Sequence, residues 1–464
     1  MPTIKIDSFS GIMPRVHPTL LPDGCAVKAH NCRLHSGKLS PILQPVKATG
    51  KRIRLENGLG KIADAKTVFL WRRNGGIEEF LAWPDVVKVA PSNIADDSLR
   101  RIFVTGNTGI GTGGKEPCAY ISTASGAGFT RHTLVKEPLP NLTASGENPT
   151  LTLAEGSAAD TDNLRYTFFF QTWVDIYGYE SPVSGIDPEH DEVVYNDGDT
   201  VTVAEVSAPD GAVIRRIYKV VTGTATESIQ FIAEQNKKGE DFGACTFRVK
   251  DEDAGEVMPS IVSPPEDLTW MSYIPGNFYV GVSAANKRTV MFSDVDRPTS
   301  WPDAYMYDIK DDFVGLAVCG NTVFVMTTGF PWAISGTAPE SMSPAVMATA
   351  QGCVSDRSIC VMEGVAFYAS QDGICMLSAE NATASVITEK YFSKREWNAL
   401  NPSSCIMEAY DGALHAWFTL ASGARAGYII DIGEGVSAIT THDEQAKAVF
   451  YDVEGDALYY VREV

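Results

Sequence analysis

Nothing in this chain is long and apolar enough to span a bilayer. No run of 18 apolar residues occurs, and a membrane-crossing helix needs about 20. The start, MPTIKIDSFSG, lacks the apolar stretch of a secretory leader. These absences predict synthesis in a cytoplasm and no membrane-spanning segment. Histidine is scarce, with 7 residues spread along 464. Cysteine is odd in number, at 9, and scattered, which suits reduced thiols used as small apolar side chains. There is no G-x-S-x-G elbow, no calcium-loop order and no S-x-D-x-G-x-T-W box. The acidic stretches DVDRP (294–298), DIKDD (308–312) and DEDAGE (251–256) match none of these patterns. No catalytic, cofactor or metal site is therefore expected, and the chain reads as a non-enzyme.

Positive charge is also in short supply. Lys and Arg number 38 against 58 Asp and Glu, a net −20. The deficit is uneven. Residues 1–136 hold 19 basic and 10 acidic groups, while residues 137–464 hold 19 and 48. So acidic a body disfavours nucleic-acid binding, but the basic first third can meet an acidic surface.

Two local patterns invite a site and then fail its chemistry. GIGTGGKE (109–116) places Gly109, Gly114 and Lys115 as a phosphate loop would. Glu116 and Pro117 follow where Ser or Thr and a helix are required, so a Gly-rich hairpin loop is expected. Cys25, His30, Cys32 and His35 fall within eleven residues, but C-x4-H-x-C-x2-H is not a spacing that closes a tetrahedral zinc site on one turn.

What the chain does have is β-forming sequence. It is 44% hydrophobic, with 40 Gly and 25 Pro, a mix that favours strands and turns. In the last 190 residues a Gly-terminated turn followed by an alternating apolar run recurs at Gly276, Gly320, Gly364, Gly412 and Gly455, at intervals of 44, 44, 48 and 43. A four-stranded propeller blade has about that length. KTVFLWRRNGGIEEFLAWPDVVKVAP (66–91), RRIFVTGNTG (100–109) and CAYISTA (118–124) read as earlier blades, and ALYYVRE at the C-terminus as a strand that closes the ring. Residues 141–268 differ, with 24 acidic and 8 basic groups and several short strands. The expected fold is all-β: a propeller, an inserted fibronectin-III-like sandwich and an irregular N-terminal arm. The expected divisions are 1–65 (arm and first platform strands), 66–140 (first blades), 141–268 (sandwich) and 269–464 (remaining blades).

The arm, FSGIMPRVHPTLLPDGCAVKAHNCRLHSGKLSPILQPV (9–46), is too broken by Pro and Gly for a long regular element, so it gains order by lying on another surface. Its Gly11, Pro14, Arg15, Pro18, Leu20-Leu21-Pro22, Ala26, Ala29, Asn31, Gly37, Leu39 and Pro41 resemble the start of tail tubular, or nozzle, proteins of short-tailed bacteriophages. Ser40 precedes Pro41 where many of those proteins carry Arg. VMFSDVDRPTSWPDAYMYDIKDDFVGLAVCGNTVFVMTTGFPWAISGTAP (290–339) and GCVSDRSICVMEGVAFYASQDGI (352–374) are similar to their successive blades, and RYTFFFQTWVDIYGYESPVSG with IRRIYK to their inserted domain.

The resemblance implies a virion structural protein of the tail, forming a ring of probable sixfold symmetry around a conduit for DNA ejection. Its implied partners are further copies of itself, an adaptor or head-to-tail connector, tail fibres or spikes, and genomic DNA in transit without sequence-specific binding. Interface candidates in the arm are Phe9, Pro14, Arg15, Leu20, Leu21 and Arg33. The alternative is a carbohydrate- or receptor-binding propeller of a virion or cell surface, which would expose aromatic side chains. Trp173, Trp270, Trp301, Trp332, Trp397 and Trp417 are the tryptophans available, and most lie in strand-like runs.

Overall fold

The computed structural model describes residues 8–143, 150–154, 164–187, 189, 191–222, 227–378 and 383–462. Most of MPTIKIDSFSG lies outside them. Two compact units emerge: residues 1–133 with 265–296 and 304–464, and residues 134–264 with 297–303.

The first unit is a propeller. Seven sheets follow one another around it. The first joins Thr67–Arg73 and Ile77–Trp83, with Arg52–Leu55 added in parallel on the outer side. The second runs Val87–Pro91, Ile102–Gly106, Cys118–Ser122, Phe129–Thr133. After the excursion into the second unit, the third runs Leu268–Ile274, Phe278–Ser283, Thr289–Phe292, Met306–Asp308. The fourth is Phe313–Cys319, Thr322–Thr327, Trp332–Ser335, Ser343–Val346, and the fifth Cys360–Met362, Val365–Ala369, Ile374–Leu377, Ala384–Val386. The sixth is Ile406–Tyr410, Ala413–Thr419, Arg425–Ile432, Val436–His442, and the seventh a hairpin, Ala448–Asp452 with Ala457–Val461.

Alternation explains why the sheets pack face to face. Successive residues of a strand point to opposite faces, and here both faces are apolar. Val325 and Val323 turn to the third blade's cluster, while Phe324 and Met326 turn to the fifth's. The same rule carries Phe367 and Ala369 towards the sixth blade, and Ala366 and Tyr368 towards the fourth. Each fully buried aromatic contributes about 1.5–3 kcal/mol. The five recurrent glycines all fall between the first and second strands of blades three to seven. Gly276, Gly320, Gly364 and Gly412 take positive φ there, and at the fifth turn Asp456 takes it instead of Gly455.

The ring closes between blades seven and one by packing rather than by a shared strand. Phe69 meets Phe450 edge-on at 5.1 Å, and Phe80 meets Tyr459 at 5.0 Å. Arg72 grips Asp452 in a two-pronged pair, Nη1 to Oδ1 at 2.8 Å and Nη2 to Oδ2 at 2.6 Å. Arg357, from the turn before blade five, donates to the Lys66 carbonyl at 3.0 Å and also to the Lys447 carbonyl, tying the lead-in strands of blades one and seven together.

The arm lies on its own chain. Gly11–Ile12 pairs in parallel with the outer strand of blade six, Gly11 opposite Ile439, and Cys25–Ala26 pairs outside it. Asn31 N–H donates to the Thr441 carbonyl and Thr441 N–H to that of Ala29. Ala29 and Leu34 bury against Ala438. Gly11 has φ +76°, and a Cβ there would stand 2.0 Å from the Ile439 oxygen, so no other residue fits without moving the strand.

The second unit is a β-sandwich. Leu151–Ala154, Thr200–Val203 and Cys245–Arg248 form one sheet. Phe169–Asp175, Ala212–Thr222 and Glu227–Asn236 form another, beside a two-stranded ribbon of Arg165–Thr167 with Val193–Tyr195. Leu151, Val201, Val203, Phe169, Ile217 and Tyr195 fill the space between. Ala212–Thr222 also turns Arg215 and Lys219 inward. Arg215 donates to Gln171 Oε1 at 2.8 Å and to the Ala204 carbonyl at 3.0 Å, and Lys219 to the Tyr195 hydroxyl at 2.9 Å.

Two outcomes test this arrangement. Arg72→Ala strands the Asp452 carboxylate, only 3% exposed, and is expected to lower unfolding free energy by about 2–4 kcal/mol in chemical denaturation. Gly11→Val is expected to release the arm while the propeller keeps its melting temperature within a few degrees; faster protease cleavage ahead of residue 40 reads the release.

Candidate functional site

Three places in the structure gather chemistry. The first is the propeller axis. Lys66, Lys88, Asp356, Arg357 and Glu408 converge there with Val87, Ile406, Met407 and Val449 around a cavity of about 90 Å³, room for about three waters. Each comes from the innermost strand of a blade or the turn leading to it, which is why five blades contribute. Lys88 Nζ sits 3.7 Å from the centre of the Trp270 ring, a cation–π contact. Both Lys88 and Glu408 are half-buried by surface area, but they face a space too small for bulk water. Desolvation consequently lowers the Lys88 ammonium to about 8, against the opposing pull of Asp356 and Glu408. It raises the Glu408 carboxyl to about 7, opposed by the Ala409 N–H and by Lys88. Lys88, Asp356, Arg357 and Glu408 thus gather both signs of charge around one small cavity.

The second is a cleft of about 310 Å³ on the sandwich, lined by Glu180, Arg216, Tyr218, Phe231, Glu256 and Arg297 among others. Arg216 and Tyr218 share a face of one strand, so the period of two sets them side by side. The buried Glu180 carboxylate accepts from Thr172 Oγ1 at 2.5 Å, the Tyr218 hydroxyl at 2.6 Å and Arg216 Nη1 at 2.9 Å. Burial, then the bond to Glu180, pushes the Tyr218 phenol well above its usual range. With its partners already inside the chain, this network stiffens the sheet.

The third is an exposed strap, residues 39–55. Residues 43–50 are exposed throughout, as are Arg52–Leu55 on the outer edge of blade one. Leu43 and Val46 are 89% and 91% exposed, and Leu39, Ile53 and Leu55 are exposed too. Between residues 24 and 55 there are seven Lys and Arg and no Asp or Glu.

The residues flagged in the sequence separate into used and open. Phe9 packs beside Ala29 and Leu34. Arg33 pairs with Asp431 at 3.0 Å and donates to the Asp411 carbonyl at 2.8 Å. Arg15 donates to the Glu389 carbonyl at 2.6 Å, and its N–H to that of Tyr391 at 2.9 Å. These three hold the arm to its own propeller, because the blade-six edge offers both the free strand and the carboxylate. Pro14 and Leu20 are exposed and Leu21 half-buried. The open apolar surface lies further on, at 39–55, and its signal in the sequence is the acid-free run with widely spaced Leu, Val and Ile.

Cys25, His30, Cys32 and His35 do not converge. His30 is engaged by Thr441 Oγ1 at 2.9 Å and Asp443 Oδ1 at 3.0 Å, and burial raises both thiols. Among the described residues no three His, Cys, Asp or Glu are grouped to hold a metal ion. Residues 107–117 form the hairpin loop between two strands of blade two, closed by a Gly109 N–H bond to the Gly114 carbonyl at 2.8 Å. Trp173, Trp270, Trp301, Trp397 and Trp417 are buried and Trp332 half-buried. No helix is long and apolar enough to cross a membrane among the described residues.

No protein-family model matches the chain, and no curated protein sequence matches it. Similar solved structures include a puromycin-hydrolysing peptidase of Mycobacterium tuberculosis, at TM-score 0.28 and 9% identity, over 76% of this chain and 53% of that one. The WD40 domain of SCAP from fission yeast matches at TM-score 0.23 and 10% identity, over 74% and 62%. The chain thus spans about half the length of the peptidase. Likenesses this slight carry no inference about function.

Glu408 gives a pH test. Its folded pKa lies above the unfolded value, so the folded state holds the extra proton and loses stability as pH rises from about 4.5 to about 7. Glu408→Gln is expected to flatten the melting profile across that window and to gain about 1–2 kcal/mol at pH 7.5. An unchanged profile would place the carboxylate in contact with bulk water.

Proposed function

We propose that this chain is a virion structural subunit, copies of which form the distal tube of a short phage tail. The observation that carries the reading is the strap at 39–55. A basic, exposed apolar segment, whose residues 43–50 make no backbone hydrogen bond among the described contacts, on a chain of net charge −20, is the chemistry of a subunit completed by a neighbour. The resemblance of the arm, blade and sandwich sequences to nozzle proteins supplies the kind of assembly.

Geometry bears on where DNA would travel. A duplex whose major groove alone is about 12 Å wide is too large for the 90 Å³ cavity lined by Lys88 and Glu408. In this reading the conduit is the space enclosed by several copies, and the propeller is building material. An acidic lumen then keeps phosphates from sticking, since it offers few cations to release counterions. The adaptor above, and fibres or spikes beside, meet faces of the ring rather than the axis of any one propeller. Ligand recognition by exposed tryptophan, as the carbohydrate-binding alternative needs, is disfavoured by their burial.

Mass spectrometry and cryo-electron microscopy of purified virions test the proposal. The protein is expected as a ring at the tail tip, in stoichiometric multiple copies. Its absence from particles that retain infectivity would refute it.

A further inference from the structure

We propose that the cavity on the propeller axis binds a small zwitterion of the α-amino-acid class, glycine or alanine in size, with its carboxylate on Lys88 and its ammonium on Glu408 and Asp356. The cavity lies inside one propeller, so a single copy of the chain holds the whole site.

The charges around the cavity are not spent on one another. Among the described residues, the Lys88 ammonium and the Asp356 carboxylate have no hydrogen-bond or ion-pair partner, and Glu408 accepts only from the adjacent Ala409 N–H, at 3.1 Å. Charged groups withdrawn from bulk water are ordinarily paired, so three open ones around one cavity call for a partner from outside. Balance selects its kind. Lys66 pairs with Asp85 at 3.5 Å, which leaves Lys88 and Arg357 against Asp356 and Glu408. A metal ion would add its charge beside two cations, and a simple anion beside two carboxylates. A molecule with one charge of each sign meets both and adds none. Size sets the limit. About 90 Å³ holds an amino-acid backbone with no more than a methyl group, which Val87, Ile406, Met407 and Val449 would cover.

Blades three and four are shaped to hold Lys88 in place. Trp270 breaks the register of the innermost strand of blade three, between Thr269 and Ser272, and takes φ +58°. That left-handed conformation is rare for a bulky side chain, and such outliers gather at ligand sites. The bulge carries the ring to 3.7 Å from Lys88 Nζ. In blade four Gly315 makes the room, since a Cβ there would stand 2.6 Å from Trp270 Cη2. A ring face holds an ammonium without neutralising it, so Lys88 stays open to a carboxylate.

Protonation narrows the conditions. Lys88 titrates at about 8, facing Asp356, Glu408 and Arg357, and Glu408 at about 7, facing Lys88. Below that window Glu408 takes up a proton and loses its pull on an ammonium. Above it Lys88 gives up the charge that a carboxylate needs. Affinity therefore peaks between the two values and falls on either side.

Isothermal titration calorimetry of the full chain, at a pH midway between these values, tests the site. Glycine and alanine are expected to bind saturably, one per chain. Acetate and methylammonium each meet half the site and should bind at least about tenfold more weakly. Leucine should not fit. Lys88→Met and Glu408→Gln should each weaken glycine by about tenfold or more, with circular dichroism unchanged. The probe series on the wild-type chain decides the matter even where a variant does not fold. The proposal is overturned by an absence of saturable heat with both glycine and alanine, by acetate or leucine binding as tightly as glycine, or by folded variants that bind glycine like wild type.

Discussion

Everything in the propeller depends on its last contact. A blade buries one face on the blade before it and the other on the blade after, so none is stable by itself, as in other repeat architectures. The chain makes six of these contacts in sequence order and the seventh only when residues 448–461 reach back to 67–83. Arg72 and Asp452 are 380 residues apart, so the entropy of closing that loop falls on this one interface. Its construction reflects the load. Ring-on-ring aromatic contacts supply area, the two-pronged Arg72–Asp452 pair fixes registry, and Arg357 ties both lead-in strands from a third position. Blade one needs the help, since its outer strand, Arg52–Leu55, is attached in parallel and is exposed along its length.

The sandwich is inserted where it least disturbs that closure. It leaves the chain after blade two and returns before blade three, and these two blades touch through Phe103 and Tyr279, 5.3 Å apart, and through the Met271 N–H bond to Thr105. The break in sequence is therefore no break in packing. The insertion and the later blades share the excess acid equally, while most of the unbalanced base lies in the arm and strap.

Much of the propeller was legible because the blade repeat leaves a rigid trace. The first hairpin of each blade must turn sharply, and glycine or a left-handed Asp marks the turn at 276, 320, 364, 412 and 455–456. That GIGTGGKE is a hairpin loop running into a strand was legible from Pro117 and the strand-like CAYIS after it. What the sequence hid is long-range. Nothing local says that Arg33 meets Asp431 or that Lys88 lies over Trp270, because those pairs are set by which blades become neighbours. Alternation also misleads where charge is buried. In AVIRRIYKVV, period two assigns one face to Arg215, Ile217 and Lys219, and that face is the core, where the cations donate to Gln171, Ala204 and Tyr195. Polar partners far along the chain made it affordable.

The arm shows how a correct physical premise finds its surface within the same chain. Residues 9–33 are broken by Pro and Gly and do gain order by lying on a surface, but the nearest free strand edge is blade six of the same chain. Once that edge is covered by Gly11–Ile12 and Cys25–Ala26, the arm has spent its hydrogen bonds there. Beyond it residues 43–50, tethered at one end by the arm and at the other by blade one, stay exposed and make no backbone hydrogen bond among the described contacts. Leu20 and Val27 of the arm also keep apolar surface in water, so the arm is ordered by its own chain without being hidden by it.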